Sequence, residues 1–255
     1  MRPVVWLVTA SALAVATVTS DATAQTLASR VDAVRDGTIQ MTFPTRPGVC
    51  GDGRGSVWMQ DNDHTAGFND RGVPCIAGPA RVAIGRADGQ TVSIRECVAC
   101  LTTGMADGTN IGEVGATEAA RYLLSIARTL GGRNADAAIT AAAFADAGNI
   151  DPEFTRLIRD ENATLQARKQ ALFWLGEMGE STQEIIGLDA SLKGEGLRDH
   201  YTFVLSQRRD DPSLDKLMDI ARRDPDSHVR KQAMFWLGQS HDPRAVQFFK
   251  DILRR

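Results

Sequence analysis

Apolar and polar residues alternate along four short segments between residues 38 and 96, which is the period of a β-strand with one buried face. In the first, Ile39, Met41 and Phe43 share one side; in the last, Val92 and Ile94 do. The four segments are 38–43, 56–59, 81–86 and 90–96. We therefore predict a small antiparallel sheet with one face exposed to solvent.

The connections in this half also follow a recognisable pattern. Ala87-Asp88-Gly89 separates the last two segments, and Asp-Gly between strands is a strong hairpin signal. Residues 44–80 are rich in Gly, Pro, Asp and Asn, which is typical of long loops.

Beyond residue 115 the apolar spacing changes to that of amphipathic helices. Thr117 is a plausible N-cap for a helix over 117–130, and a second helix over 135–147 ends at Gly148. Further starts follow, and all but one of them have Asp at the N-cap and Pro at the first helical position. They are Asp151-Pro152, Asp211-Pro212, Asp242-Pro243 and a start near Ser181-Thr182. The spacing predicts a repeat of about 30 residues with two helices each.

One segment of this half is duplicated. Residues 167–176 read ARKQALFWLG, and residues 229–238 read VRKQAMFWLG. The separation of 62 residues (229 minus 167) fits two helix pairs, and a degenerate copy at 198–206 lies between them. We expect about four and a half helix pairs between residues 117 and 253, stacked because one pair alone cannot bury its apolar face.

The second helix of the repeat resembles a known family. Residues 226–230, DSHVR, followed by Ala233 and Leu237-Gly238, look like the second helix of a HEAT-like repeat of the kind also found in phycobilisome lyases, and residues 164–176 do so nearly as well. The resemblance covers about 100 to 135 residues. The whole chain is also similar to exported bacterial HEAT-repeat proteins of unassigned role. This resemblance implies a fold and a tendency to bind proteins, and no residue matches a bilin-attachment site.

The expected fold class is α+β by segments: a small antiparallel β module with disulfides over 25–114, followed by an α-solenoid of HEAT-like helix pairs over 115–255. We expect the sheet to lie against the first helix, 117–130, because the end of a solenoid exposes an apolar flank. Residues 245–253, followed by Arg254-Arg255, would form a polar cap at the other end.

Residues 1–24 have the pattern of a secretory signal peptide. Arg2 precedes an apolar run over 4–16, and Ala22-Thr23-Ala24 provides a small-residue cleavage site. An uncleaved membrane anchor is the alternative, but the run is short for a bilayer span. We predict a periplasmic or secreted protein with no membrane span after cleavage. The net charge of −3 argues against nucleic-acid binding.

The cysteines all lie between residues 50 and 100, and an even number in an oxidising compartment favours disulfides. Three pairings are possible; we favour Cys50–Cys75 with Cys97–Cys100. The second bridge requires a turn, since residues three apart in a strand are about 10 Å apart. A thiol-redox site would need a helix starting at Cys97, and residues 101–104 do not begin one.

A helical wheel places Ala171, Trp174 and Leu175 in a buried stripe, and aromatic residues on the opposite side of three successive second helices. These aromatic residues and the cations beside them are Phe173, Phe203, Phe235, Lys169, Lys231 and His200. We predict an aromatic ladder that binds a peptide or protein partner on the concave face. The alternative is that the phenylalanines pack into the grooves between repeats.

Three arginines, Arg168, Arg198 and Arg230, recur near the start of the second helices. They could form a basic ladder for an acidic ligand. The favoured interpretation is local pairing with acidic residues of an adjacent turn, while the arginine stems cover apolar surface.

No segment has a convincing catalytic or metal-binding pattern. Asp61-Asn62-Asp63 lacks the Gly and Glu of a calcium loop, and His64, His200, His228 and His241 are scattered. We predict no catalytic residue, no cofactor and no metal. The expected function is an exported, non-enzymatic protein-interaction scaffold; the alternative is an enzyme or thiol-redox protein that uses loops of the β module.

Overall fold

The structure is a computed structural model, and it describes residues 25–59, 73–100, 108–178, 181–208 and 210–254. The predicted signal peptide and the loop with Asp61 and His64 lie outside these residues. The strands are β1 Gly37–Phe43, β2 Val49–Gly51, β3 Val57–Met59, β4 Ala80–Ala87, β5 Gln90–Val98 and β6 Thr109–Glu113. The helices are α1 Leu27–Asp32, α2 Ala116–Ala127, α3 Gly132–Phe144, α4 Asp151–Arg159, α5 Leu165–Met178, α6 Thr182–Ile186, α7 Glu195–Arg208, α8 Asp211–Arg223, α9 Ser227–Gln239 and α10 Pro243–Leu253.

The main sheet has the strand order β5-β4-β1-β6. The β1–β4 and β4–β5 pairs are antiparallel as predicted, but β6 runs parallel to β1, so the expectation of a purely antiparallel sheet is wrong. A parallel neighbour needs a long connection, and here everything from β2 to β5 lies between the two strands. The pattern over 109–113 is too short and polar to have predicted β6, and β2 and β3 form a separate pair.

Alternation correctly predicts the buried face of this sheet, with one exception. Ile39, Met41 and Phe43 of β1 are fully buried, but Val92 of β5 is 53% exposed. Ser93 pairs with Gly85 and Thr91 with Arg86, so Val92 is the extra residue of a β-bulge. A bulge interrupts the two-residue period, and this is why the prediction fails at that position.

The hairpin between β4 and β5 is the two-residue turn that its sequence predicts. Asp88 and Gly89 both have positive φ angles, +51° and +75°, as a type I′ turn requires. At the far end of β5, Ala99 has a φ of +56° and turns the chain between Cys97 and Cys100. Their Cα atoms lie 6.0 Å apart.

The cysteine pairing agrees with the one that the sequence favours. Cys50 and Cys75 lie at disulfide distance, with their Cα atoms 4.9 Å apart, and Cys97 and Cys100 form the second pair. The β module is therefore held at two places, in the loop region and at the end of β5.

Contacts pair α2 with α3, α4 with α5 and α8 with α9, and α10 follows the last pair. The five-residue α6 precedes α7 along the chain, and α7 packs against α8. The second helices α3, α5, α7 and α9 pack side by side in that order, and we call them the second-helix layer. Two further contacts, α2 with α4 and α6 with α8, connect first helices. The duplicated segments fall in α5 and α9, two pairs apart, as their spacing predicts.

Several helix termini differ by a few residues from the predicted ones. Gly115, not Thr117, is the N-cap of α2, and the Thr117 hydroxyl donates to the Ala147 carbonyl instead. Asp242 caps α10 as predicted, but α8 is capped by Asp210, one residue before the expected position. The Asp-Pro pair therefore marks the start of a helix, but the side chain that caps the helix can be a neighbouring acceptor such as Asp210.

The β sheet packs mainly against α3, through β5 and β4, whereas the sequence expectation placed it against α2. Alanines such as Ala138 and Ala142 are completely buried in α3, and their small side chains let both the sheet and α5 approach closely. Asn134 of α3 accepts from the Ile94 N–H at 3.1 Å and donates to the Val92 carbonyl at 2.9 Å. One apolar core thus continues from the sheet into the helix pairs.

Candidate functional site

Five aromatic rings of the second-helix layer reach the surface of the molecule. Phe173, Trp174, Phe203 and Trp236 are half-buried, and Phe235 is 53% exposed. We call these five residues the aromatic surface. The three predicted phenylalanines are among them, and the two tryptophans are additional.

The first part of the aromatic surface is built on Trp174 of α5. Its ring contacts Phe173 edge to face, with centroids 5.2 Å apart, and meets Phe144 of α3 in the same manner at 5.1 Å. Its Nε1–H donates to Thr140 Oγ1 at 3.2 Å. The indole is therefore fixed by the neighbouring helix, and one side of the ring pair remains accessible.

The second part repeats this arrangement two helix pairs further on. Trp236 of α9 contacts Phe235 edge to face at 4.9 Å and Phe203 of α7 at 5.2 Å. The Phe203 ring also lies 5.5 Å from that of His200. The sequence predicts Phe203, Phe235 and His200 as members of this group, but it does not predict Trp236.

The helical wheel fails at the tryptophans because the buried arc is rotated. Leu172, placed at the edge of the stripe, is fully buried together with Ala171 and Leu175, and Arg168 is only 8% exposed. Rotation toward Leu172 brings Trp174 out of the stripe and beside Phe173. Phe173 and Phe203 are half-buried, and Phe203 also packs against the apolar core, whereas Phe235 is 53% exposed.

A cavity of about 540 Å³ opens beside Trp236, between the ends of α7 and α9 and the beginnings of α8 and α10. Leu205, Leu214, Leu217 and Trp236 line it together with polar residues, among them Asp210 and Arg244. A cavity with both apolar and polar lining suits a side chain of a bound partner.

The predicted cations lie next to the aromatic surface in different environments. Lys231 is exposed, whereas Lys169 and His200 are half-buried. Burial, and secondly the positive charge of Lys169, lower the pKa of His200 below its ordinary value. His200 therefore contributes a neutral ring, and the lysines contribute the positive charge.

The three recurring arginines are occupied locally, but only Arg198 forms the ion pair with an acidic side chain that the favoured interpretation expects. Arg168 donates to the Ile158 carbonyl at 2.7 Å, and Arg230 donates to the Asp224 carbonyl at 2.6 Å. These carbonyls lie at the C-terminal ends of α4 and α8. Carbonyl groups there have no N–H partner within the helix, and the helix dipole favours a nearby cation. Arg198 forms an ion pair with the Asp224 carboxylate.

The glycine-rich loop of the β module is a weaker candidate for a binding site than the aromatic surface. Asp52 Oδ1 accepts from the backbone N–H groups of Arg54, Gly55 and Ser56 at 2.7 to 3.0 Å, so this glycine-rich loop satisfies its own donors. Hydrogen bonds from Arg54, Ser56 and Gly55 hold the pKa of Asp52 below its usual value. No free cysteine occurs among the described residues.

Residues 229–255 match the family model of the PBS lyase HEAT-like repeat. This stretch contains most of α9 and all of α10, so the resemblance predicted from DSHVR and Leu237-Gly238 is confirmed there. The helix pairs preceding it are consistent with a HEAT-like repeat protein, a kind of fold that commonly mediates protein interactions. No curated protein and no solved structure matches the chain.

A membrane-spanning helix was not expected outside residues 1–24. Within the described ranges, none of the helices combines the length and the apolar run that crossing a bilayer requires.

Proposed function

We propose that this protein is a non-enzymatic scaffold that binds a peptide or another protein on its aromatic surface. The observation that carries the proposal is the position of five partly exposed rings on three successive second helices, α5, α7 and α9. Second helices line the concave side of a HEAT-like stack, and concave sides are the binding surfaces of solenoid proteins.

The chemistry of the surface suggests what a partner would present. Rings held edge to face offer apolar area at a low entropic cost, and tryptophan is among the residues enriched at interface hot spots. Lys169 and Lys231 add positive charge at the border. A segment with apolar side chains and a few acidic residues fits both features, and the cavity beside Trp236 could receive one of its side chains.

The compartment belongs to the same proposal. Two cysteine pairs at disulfide distance favour an oxidising environment, as does the signal-peptide pattern of the sequence. We infer that the scaffold acts in the periplasm or outside the cell. The net charge of −3 supports a protein rather than a nucleic-acid partner.

The test compares partner capture by the wild-type protein with capture by the double variant Phe173→Ser, Phe235→Ser. We expect the variant to lose its specific partners, since each buried interface anchor contributes about 2 kcal/mol or more. Its helical circular dichroism should remain, because neither ring belongs to the fully buried core.

The matched control is Val92→Ser on β5, whose exposed fraction of 53% equals that of Phe235 but which lies on the edge of the sheet. This variant should capture the same partners as the wild type. Capture that survives in the double variant, or that disappears equally in the control, would contradict the proposal.

A further inference from the structure

Three metal-ligating side chains converge where α7 meets α9. Glu195 and Asp199 lie one turn apart on α7, and His228 lies in the first turn of α9. His228 Nε2 is 2.8 Å from Asp199 Oδ2 and 3.5 Å from Glu195 Oε1. All three ligand atoms lie within 4.8 Å of one another.

These distances are close to those of a zinc site. Ligand atoms at 2.0 to 2.2 Å from a tetrahedral Zn²⁺ are about 3.3 Å apart, so only small side-chain shifts would be needed here. One imidazole and two carboxylates suit zinc better than Ca²⁺, which prefers six to eight oxygen ligands. Glu195, Asp199 and His228 have side chains 58%, 25% and 47% exposed, so an ion has access from solvent.

The α3–α5 interface provides a comparison, because its contacts occur at the same positions along the two helices as those of the α7–α9 interface. At the α3–α5 interface, the Phe144–Trp174 ring contact lies eight residues after the polar pair Asp136–Gln166 on each helix. At the α7–α9 interface, the Phe203–Trp236 contact likewise lies eight residues after Glu195 and His228. Between the polar pair and the ring contact, α3 carries Thr140 and α7 carries Asp199.

The polar groups at the α3–α5 interface are joined by ordinary hydrogen bonds. Gln166 donates to Asp136 at 3.5 Å, and Gln170 donates to Thr140 at 3.5 Å. Packing of two second helices therefore does not require Asp and His at these positions. At the α7–α9 interface three of the corresponding residues, Glu195, Asp199 and His228, are of metal-ligating types.

The carboxylate of Asp199 adds an independent observation. Its Oδ1 atom is buried and has no hydrogen-bond partner among the described residues. A buried acceptor on a charged group costs free energy unless a donor or a cation compensates it.

We propose that Glu195, Asp199 and His228 bind a zinc ion that links α7 to α9. The proposal does not depend on the proposed scaffold function. A bound ion would join two neighbouring second helices close to the Phe203–Trp236 contact, and would hold that part of the aromatic surface in a fixed geometry.

The experiment measures thermal unfolding and calorimetric titration of the metal-free full chain with ZnCl2. We expect one zinc ion per chain and a melting temperature that rises with zinc concentration, since a ligand that binds only the folded state stabilises it. The key variant is Asp199→Thr with His228→Gln, which installs the residue types of Thr140 and Gln166. It should fold, because those residues already occupy such an interface, and it should lose the titration and the temperature shift.

The control His241→Gln removes another exposed histidine, in the turn after α9. This variant should bind zinc like the wild type. An equal zinc-dependent shift in the wild type and in the double variant would overturn the proposal, as would the absence of any zinc binding, which would leave His228 as an ordinary ion-pair partner. A shift of the same size with CaCl2 would overturn the choice of zinc.

Discussion

A Cβ atom on Gly176 would lie 2.3 Å from Cγ1 of Val204, so α5 and α7 approach each other at a point where only glycine fits. The equivalent position of the duplicated segment is Gly238 in α9. A Cβ atom there would meet nothing within 4 Å. The same residue in the same repeat position thus has a packing role in one copy and none in the other.

This difference predicts opposite effects of one substitution. Gly176→Ala should lower the free energy of unfolding by about 1–3 kcal/mol, because Val204 is stiff and the added methyl group overpacks the contact. Gly238→Ala should raise it by about 0.5–1 kcal/mol through helix propensity. Urea denaturation of both variants measures the two values. Stabilisation by Gly176→Ala would show that α5 and α7 are less closely packed than described.

The N-terminus of α8 depends on Asp210. Burial alone would raise the pKa of this carboxyl, but hydrogen bonds from Thr182, Ser213 and Arg208 more than offset it, and the pKa lies below its usual 3.8. The stabilisation is therefore present above pH 3.8 and is lost as the pH falls through the lower folded value.

We expect Asp210→Ala to lower the free energy of unfolding by about 1 kcal/mol at neutral pH. The difference from the wild type should shrink in acid, because protonation removes the interaction from the wild type as well. Guanidinium denaturation at about pH 7 and about pH 3 measures both differences. An effect that is constant with pH would contradict the role of the ionised carboxylate. Asp211→Ala, at an exposed neighbouring carboxylate, is the matched control.

His200 should make the protein less stable in mild acid. Because burial and Lys169 lower its folded pKa, the unfolded chain binds a proton more readily than the folded one. The contribution of neutral His200 to the free energy of unfolding is therefore fully present above the ordinary pKa of 6.5, and it is lost as the pH decreases below that value. His200→Gln should remove this part of the pH dependence.

Denaturation of the wild type and of His200→Gln at about pH 7.5 and about pH 5.5 tests this prediction. His241→Gln, at an exposed histidine, should retain the wild-type dependence. If the wild type and His200→Gln lost the same stability on acidification, the titration of His200 would not be the cause.

The thiol-redox alternative predicts reactive cysteines, and the scaffold predicts none. Because Cys97 and Cys100 lie at disulfide distance, native protein purified without reductant should give no titratable thiol, and reduction followed by unfolding should give four. Two thiols that react in the native protein at Cys97 and Cys100 would revive the redox alternative. Mass spectrometry after alkylation identifies the reacting residues.

The elements that depend on local pattern are those that the sequence predicts well. The alternation of Ile39, Met41 and Phe43 gives β1, and the Asp88-Gly89 pair gives the hairpin. Asp242-Pro243 gives the start of α10 and its cap. In each case the residues that determine the structure are neighbours in the chain, so the physical cause can be read from a short window.

The features that the sequence does not predict depend on how distant elements meet. The rotation of α5 that exposes Trp174 follows from its packing between α3 and α7, and the bulge at Val92 follows from its pairing with β4. The convergence of Asp199 and His228 joins residues 29 positions apart across two helices. Only the stacking of the helix pairs brings such residues into contact.

Asn134 has a consequence for the free edge of the β module. Strand β5 is an outer strand, and the unpaired peptide groups of such a strand can recruit a strand from another molecule. The Asn134 amide supplies one donor and one acceptor to the backbone at Val92 and Ile94, as a neighbouring peptide would. A second molecule must displace this side chain before it can extend the sheet, so α3 protects the protein against edge-to-edge aggregation.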